Sequence, residues 1–215
     1  MPRAAIAYLQ APSTPSGGRR RRLAACTIAA LLLALALPAS APAPLSFGTV
    51  PALPTLTTVT LNAKLSTVNT PMTNFSVIDT RGTKSGWNVT ANGQAGAGKS
   101  AVFAQYCPKA KCGTDAEGYV AAGQKMAASS LTLNSTGAKF AGGTGATPTL
   151  QCAAGCILDG AAAVKVASAT TSESTWTTSG FSATSLALKV PTTLRFLANE
   201  EVYRVNILWT LATGP

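Results

Sequence analysis

The stretch Tyr203-Arg204-Val205-Asn206-Ile207-Leu208-Trp209-Thr210-Leu211 decides the fold class. Tyr203, Val205, Ile207, Trp209 and Leu211 fall on one side, and Arg204, Asn206, Leu208 and Thr210 on the other. Side chains of a strand alternate with period two, so this segment presents one core face. The same alternation recurs in Thr58-Val59-Thr60-Leu61-Asn62-Ala63-Lys64-Leu65, where Val59, Leu61, Ala63 and Leu65 share a side. It recurs again in Leu186-Ala187-Leu188-Lys189-Val190, with Leu186, Leu188 and Val190 together.

Between such segments lie Gly-bearing stretches read as turns: Arg81 to Gly86, Gly93 to Gly98, and Gly142-Gly143-Thr144-Gly145. The chain from about Pro54 onward is rich in Thr, Ser, Gly, Ala and Val, and no convincing helical period or fixed repeat interrupts it. The expectation is an all-β fold, a single β-sandwich or partly closed barrel-like domain over residues 55–215. Residues 44–54, rich in Pro and Ala, read as an extended lead-in.

Upstream, Arg19-Arg20-Arg21-Arg22 precede an uncharged run from Leu23 to Leu37 and the small residues Ala39-Ser40-Ala41-Pro42-Ala43. A basic n-region (19–22), a short apolar h-region (23–37) and a small-residue end make residues 1–43 a secretory signal peptide. The run is shorter than the ~20 residues a spanning helix needs, so export is favoured over a permanent anchor. Cys26 opens the apolar run and reads as an ordinary member of it.

The leader reinterprets the charge. The whole chain carries a net +10, from 17 Lys and Arg against 7 Asp and Glu. Loss of residues 1–43 removes five arginines and no acid, which leaves +5. A nucleic-acid partner is therefore not expected. Lys99, Lys109, Lys111 and Lys125 remain as a group near in sequence that reads either as scattered solvated lysines or as an auxiliary anchor for an anionic polymer.

Several chemistries are excluded or weak. The chain has no histidine, so Ser-His-Asp and Cys-His nucleophile systems and imidazole-ligated zinc are unavailable. Gly93-Gln94-Ala95-Gly96-Ala97-Gly98-Lys99-Ser100 matches a phosphate-loop pattern. That pattern works only between a buried strand and a helix N-terminus, which the following Cys107-Pro108 discourages. Asp115 with Glu117, and Glu200 with Glu201, are paired acids, but glycoside cleavage needs two carboxyls set across a cleft. No cofactor, metal or catalytic residue is expected.

Export also governs the cysteines. Cys107, Cys112, Cys152 and Cys156 remain after the leader and imply two disulfides with three possible connectivities. The spacings favour two local loops, 107–112 and 152–156. A four-thiolate zinc site is the competing reading, and an oxidising compartment weighs against it.

The segment from Phe75 to Ala91 (FSVIDTRGTKSGWNVTA) resembles the first conserved block of the WxL domain family, in which a V-x-D-x-R-G-type strand and turn lead to G-W-x-L/V. The final Tyr203 to Pro215 (YRVNILWTLATGP) resembles its terminal block, including W-T-L and a closing proline. Leu186 to Pro191 is similar to the apolar strand before that block. In the first motif, Trp87-Asn88-Val89, valine stands for the usual leucine, and the two cysteine pairs suggest a distinct branch.

The resemblance implies an exported, non-catalytic surface domain that binds the Gram-positive cell wall non-covalently, through peptidoglycan or another wall polymer. It also implies work beside other WxL proteins and a membrane-anchored WxL-interacting protein. A structural or adhesive subunit that assembles with such a partner, rather than binding wall itself, is the alternative. The binding motif it points to is Trp87, Asn88 and Val89 with Trp209, Thr210 and Leu211. Alternation alone makes Trp209 a core residue more readily than a ligand platform, and leaves Trp87, beside a turn, between the two.

Overall fold

The computed structural model describes residues 3–6, 45–57, 59–197 and 200–215. Apart from residues 3–6, the segment expected as a leader lies outside the described residues. The strands in chain order are β1 (Arg3–Ile6), β2 (Leu45–Thr49), β3 (Val59–Thr60), β4 (Ser66–Thr70), β5 (Ser76–Asp79), β6 (Trp87–Gly93), β7 (Ala104–Cys112), β8 (Asp115–Tyr119), β9 (Leu131–Leu133), β10 (Lys139–Thr144), β11 (Thr149–Leu150), β12 (Cys156–Ile157), β13 (Val164–Ala169), β14 (Glu173–Ser179), β15 (Leu186–Val190), β16 (Val202–Arg204) and β17 (Ile207–Thr213). No helix occurs among the described residues, so the class is all-β as the alternation requires.

Two four-stranded antiparallel sheets carry the site. One runs β10-β14-β5-β2 and the other β11-β13-β6-β17. β10 lies against β11 at one end and β2 against β17 at the other, so the sheets face each other in the same order. Between them Phe140 of β10 meets the Trp87 ring edge-on at 5.7 Å and Phe75 at 5.8 Å. A third sheet, β12-β9-β15-β4, adds Leu131, Leu133, Leu186, Leu188 and Val68 to the same core cluster. The fourth, β3-β1-β16-β7-β8, includes a parallel pairing of β1 with β16. The assembly is an open sandwich and not a closed barrel.

Both disulfides join the local pairs. Cys107 bonds Cys112 and Cys152 bonds Cys156, with Cα separations of 5.6 and 5.1 Å. The first spans a register shift between Cys107 and Lys111 in the β7–β8 ladder. Pro108, which has no N–H to offer a ladder, sits within that shift.

Several local expectations are corrected. The terminal alternating run is two strands in two sheets, broken at Val205-Asn206. Asn206 makes other bonds there: its N–H donates to Ser100 O (2.8 Å), its carbonyl accepts from Gln94 N (2.7 Å), and its Oδ1 accepts from Ser100 N and Tyr119 Oη. Tyr203, Val205 and Ile207 are buried as the alternation requires, but so is Asn206 of the opposite side, and Trp209 and Leu211 are only partly buried, as is Leu208. Thr58–Leu65 is likewise not one strand. Asn62 Oδ1 accepts from Lys64 N in an Asx turn, Ala63 takes φ 58°, and Leu65 is left 69% exposed.

The Gly142–Gly145 stretch, expected as a turn, lies mostly in β10, with a bulge between Gly142 and Thr144. Gly143 has φ 62°, and a Cβ there would lie 2.1 Å from Cε2 of Trp176, so the glycine lets the strand close over that indole. Leu45–Thr49, inside the Pro/Ala-rich stretch, pairs with β5 as the outer strand of its sheet.

Candidate functional site

The two tryptophan motifs, 122 positions apart in the chain, are neighbours in space. β6 and β17 are antiparallel, with Trp87 opposite Thr213, Val89 opposite Leu211, and Ala91 opposite Trp209. Residues directly across an antiparallel ladder share a face, so Val89, Ala91, Trp209 and Leu211 form one interlocked apolar seam with Trp87 at its end. Trp87 and Val89 are fully buried, whereas Trp209 and Leu211, on an edge strand, are partly buried against the core. Asn88 faces the other way, and its Nδ2 donates to Gly214 O (2.8 Å), tying down the chain end. Thr210 is exposed.

The turn before Trp87 is held by an ion pair. Asp79 Oδ1 accepts from Arg81 Nε (2.9 Å), Oδ2 accepts from Nη2 (2.8 Å), and Nη2 also donates to Gly86 O (2.7 Å). The hydrogen-bonded guanidinium holds the Asp79 carboxyl below its usual pKa, against the opposing effect of burial. Gly86 has φ 69°, and a Cβ there would lie 2.2 Å from Ala169 O. The D-x-R-G and G-W elements are therefore one device that delivers Trp87 into the core. Gly86 O also accepts from Gly214 N (3.2 Å), so the first block and the chain end share one anchor.

The other candidates behave differently. Gly93–Ser100 leads into no helix; Lys99 N donates to Gly96 O in a tight turn, and Asn206 locks the loop's ends. Asp115 and Glu117 both lie in the short strand β8. Glu201 has its pKa pushed up by burial and, less, by its neighbour Asp115, and Gln105 Nε2 donates to Glu201 Oε2 (2.8 Å). Glu200 forms an ion pair with Lys109. Lys125 is exposed and Lys99 half-buried. Among the described residues no group of three or more Cys, Asp or Glu side chains is arranged to hold a metal ion.

A groove of about 510 Å³ opens where β10 and β11, the outer strands of the two facing sheets, come side by side. Its walls are Ser135 to Phe140, Thr147 to Leu150, and Ala153 beside the Cys152–Cys156 disulfide. The Ser135 loop is pinned to that disulfide loop: Ser135 N donates to Cys152 O (3.1 Å) and Thr136 Oγ1 to Ala153 O (3.3 Å). Phe140 belongs to the groove on one side and touches Trp87 on the other. The first motif therefore supports the groove from beneath.

Sequence reasoning named the motifs but missed this groove, because β10 and β11 are distant in sequence from both blocks, and the lone Lys139 and Phe140 of β10 form no charge or aromatic pattern. It quoted Asp79 and Arg81 without a role. A short D-x-R pair before a glycine and a tryptophan was the available signal.

A family model described as WxL domain, surface cell wall-binding, matches residues 39–215. No curated protein and no solved structure matches the chain.

Proposed function

The chain belongs to the WxL domain family of surface cell wall-binding domains, and on that premise we propose that it is exported and binds peptidoglycan non-covalently, without catalysis. The observation that carries this reading is the interlocked seam of β6 and β17. Both family motifs are used there to build one rigid sheet, whose other edge, β11, borders the groove that Phe140 and Trp87 underpin. Trp87 acts in binding by fixing that surface from beneath.

The test is a wall-fraction assay on residues 44–215. Wild type is compared with Trp209→Ala and Trp87→Phe, each first shown to fold by near-UV circular dichroism. Saturable sedimentation of wild type with purified peptidoglycan is expected. Absence of binding at low ionic strength, where any electrostatic contribution is greatest, overturns the reading.

A second reading has its own support. β17 and β2 are both outer strands at the opposite rim of the sandwich, which offers an open edge to a partner's strand. Retained binding to a membrane-anchored partner, with no binding to wall, would favour it.

A further inference from the structure

We propose that the groove between β10 and β11 is the wall-ligand site, and that it takes a carboxylate-bearing, amide-rich segment of the wall polymer: the junction of acylated sugar and peptide. This rests on the wall-binding reading and adds the place and the chemistry.

Three features of the lining point to that class. The first is charge. Lys139 is exposed at the groove, and no Asp or Glu belongs to its walls, so the local field favours an anion. The second is a hydroxyl-rich wall, from Thr136, Thr147, Thr149 and Ser135. Thr136, Thr147 and Thr149 are exposed there, within reach of a ligand.

The third is main-chain direction. Thr178 donates its N–H to Phe75 O, on the side away from β10, so its cross-strand partner Phe140 turns its own N–H and C=O to the open side. Gln151 N donates to Val166 O, toward β13, so the preceding Leu150 turns its amide groups outward as well. Two strand edges bordering one groove thus turn unpaired peptide groups outward at the same rim. That arrangement suits a ligand that carries amides, such as N-acyl groups and short peptide, and a plain hydroxylated glycan would use only the threonines. The walls are also fixed in advance, by the disulfide at Ala153 and by the Trp87–Phe140 contact below, which limits the ordering cost of binding.

The experiment titrates a disaccharide-tetrapeptide muropeptide into isotope-labelled residues 44–215 and follows backbone amide shifts. Two further arms use the peptide-free disaccharide and the free tetrapeptide. Shifts centred on Ser135–Phe140 and Thr147–Ala153 are expected, strongest with the complete muropeptide. Lys139→Glu, at an exposed position and to be checked for a wild-type melting temperature, should weaken binding at least ~10-fold by removing and reversing the charge contact.

If wild type binds purified peptidoglycan but the shifts map elsewhere, or Lys139→Glu binds as well as wild type, the groove assignment is overturned while the wall-binding reading stands. If binding to whole walls disappears once phosphate-containing polymers are extracted, the carboxylate class is wrong. If wild type binds no wall at all, the underlying reading fails with it.

Discussion

Trp87 shows at the scale of one residue why an aromatic within a family motif is not a ligand platform by default. Its side chain is fully buried, edge-on to Phe140, and replacing it by alanine should cost about 3–5 kcal/mol. Urea unfolding of Trp87→Ala against wild type measures that; a loss below ~1 kcal/mol would mean the ring is not a core element. Trp209, half-buried on an edge strand, should cost about 1–2 kcal/mol.

A second residue-scale prediction concerns Asp159, which is fully buried and accepts N–H bonds from Ser130 (2.9 Å) and Leu131 (2.8 Å). Burial pushes its pKa up to about 6 despite those bonds. The folded state therefore takes up a proton before the unfolded state does. Stability should fall as pH rises from about 4 to about 6, by up to about 3 kcal/mol from this group, and then level off. Unfolding free energies across that range, in wild type and Asp159→Asn, isolate the effect: the slope should be weaker in the variant, and equal slopes would refute it. Asp79 has the opposite sign. Its lowered pKa adds stability that is present above the ordinary carboxylate range and is lost as pH falls through the folded value.

Strands set what the sequence could and could not reveal. Leu186–Val190 was legible because one hydrophobic alternation occupies one strand with one buried face. The terminal alternation was legible as burial at Tyr203, Val205 and Ile207 but not as connectivity, since the buried Asn206 diverts the chain between two sheets through bonds to residues about 100 positions earlier. The disulfide pairs followed from spacing and compartment. The edges β10 and β11 were illegible, because an edge is defined by what does not pair with it. Phe140 in its Ala/Gly-rich surroundings gives no periodic signal.

At this scale the Cys152–Cys156 bond is predicted to matter twice. Its short loop should contribute about 2 kcal/mol to stability by the chain-entropy argument. It also fixes Ala153 and the Ser135 loop at the groove. Cys152→Ser with Cys156→Ser should lower both the urea midpoint and wall affinity. An unchanged affinity would separate the groove from the disulfide.

For the whole molecule, charge and fold converge on attachment. The net charge of +10 is half leader on the sequence reading, and Lys109, one of the four lysines grouped in sequence, is engaged with Glu200. Wall binding should therefore depend on salt only modestly. A fall of several-fold between low and physiological ionic strength fits a single contact at Lys139, whereas a steep loss would indicate a polyanion bound by many lysines. β1 lies within residues 1–43 and, among the described residues, pairs with β3 and β16. Residues 44–215 should thus fold with both facing sheets intact, which near-UV circular dichroism and a cooperative melt would verify.

Wall attachment is decided by equilibrium co-sedimentation of folded residues 44–215 with purified Gram-positive peptidoglycan from which phosphate-containing polymers have been stripped. Saturable, salt-tolerant binding that soluble muropeptide competes away is expected. No binding to stripped walls, with the fold intact, would contradict it.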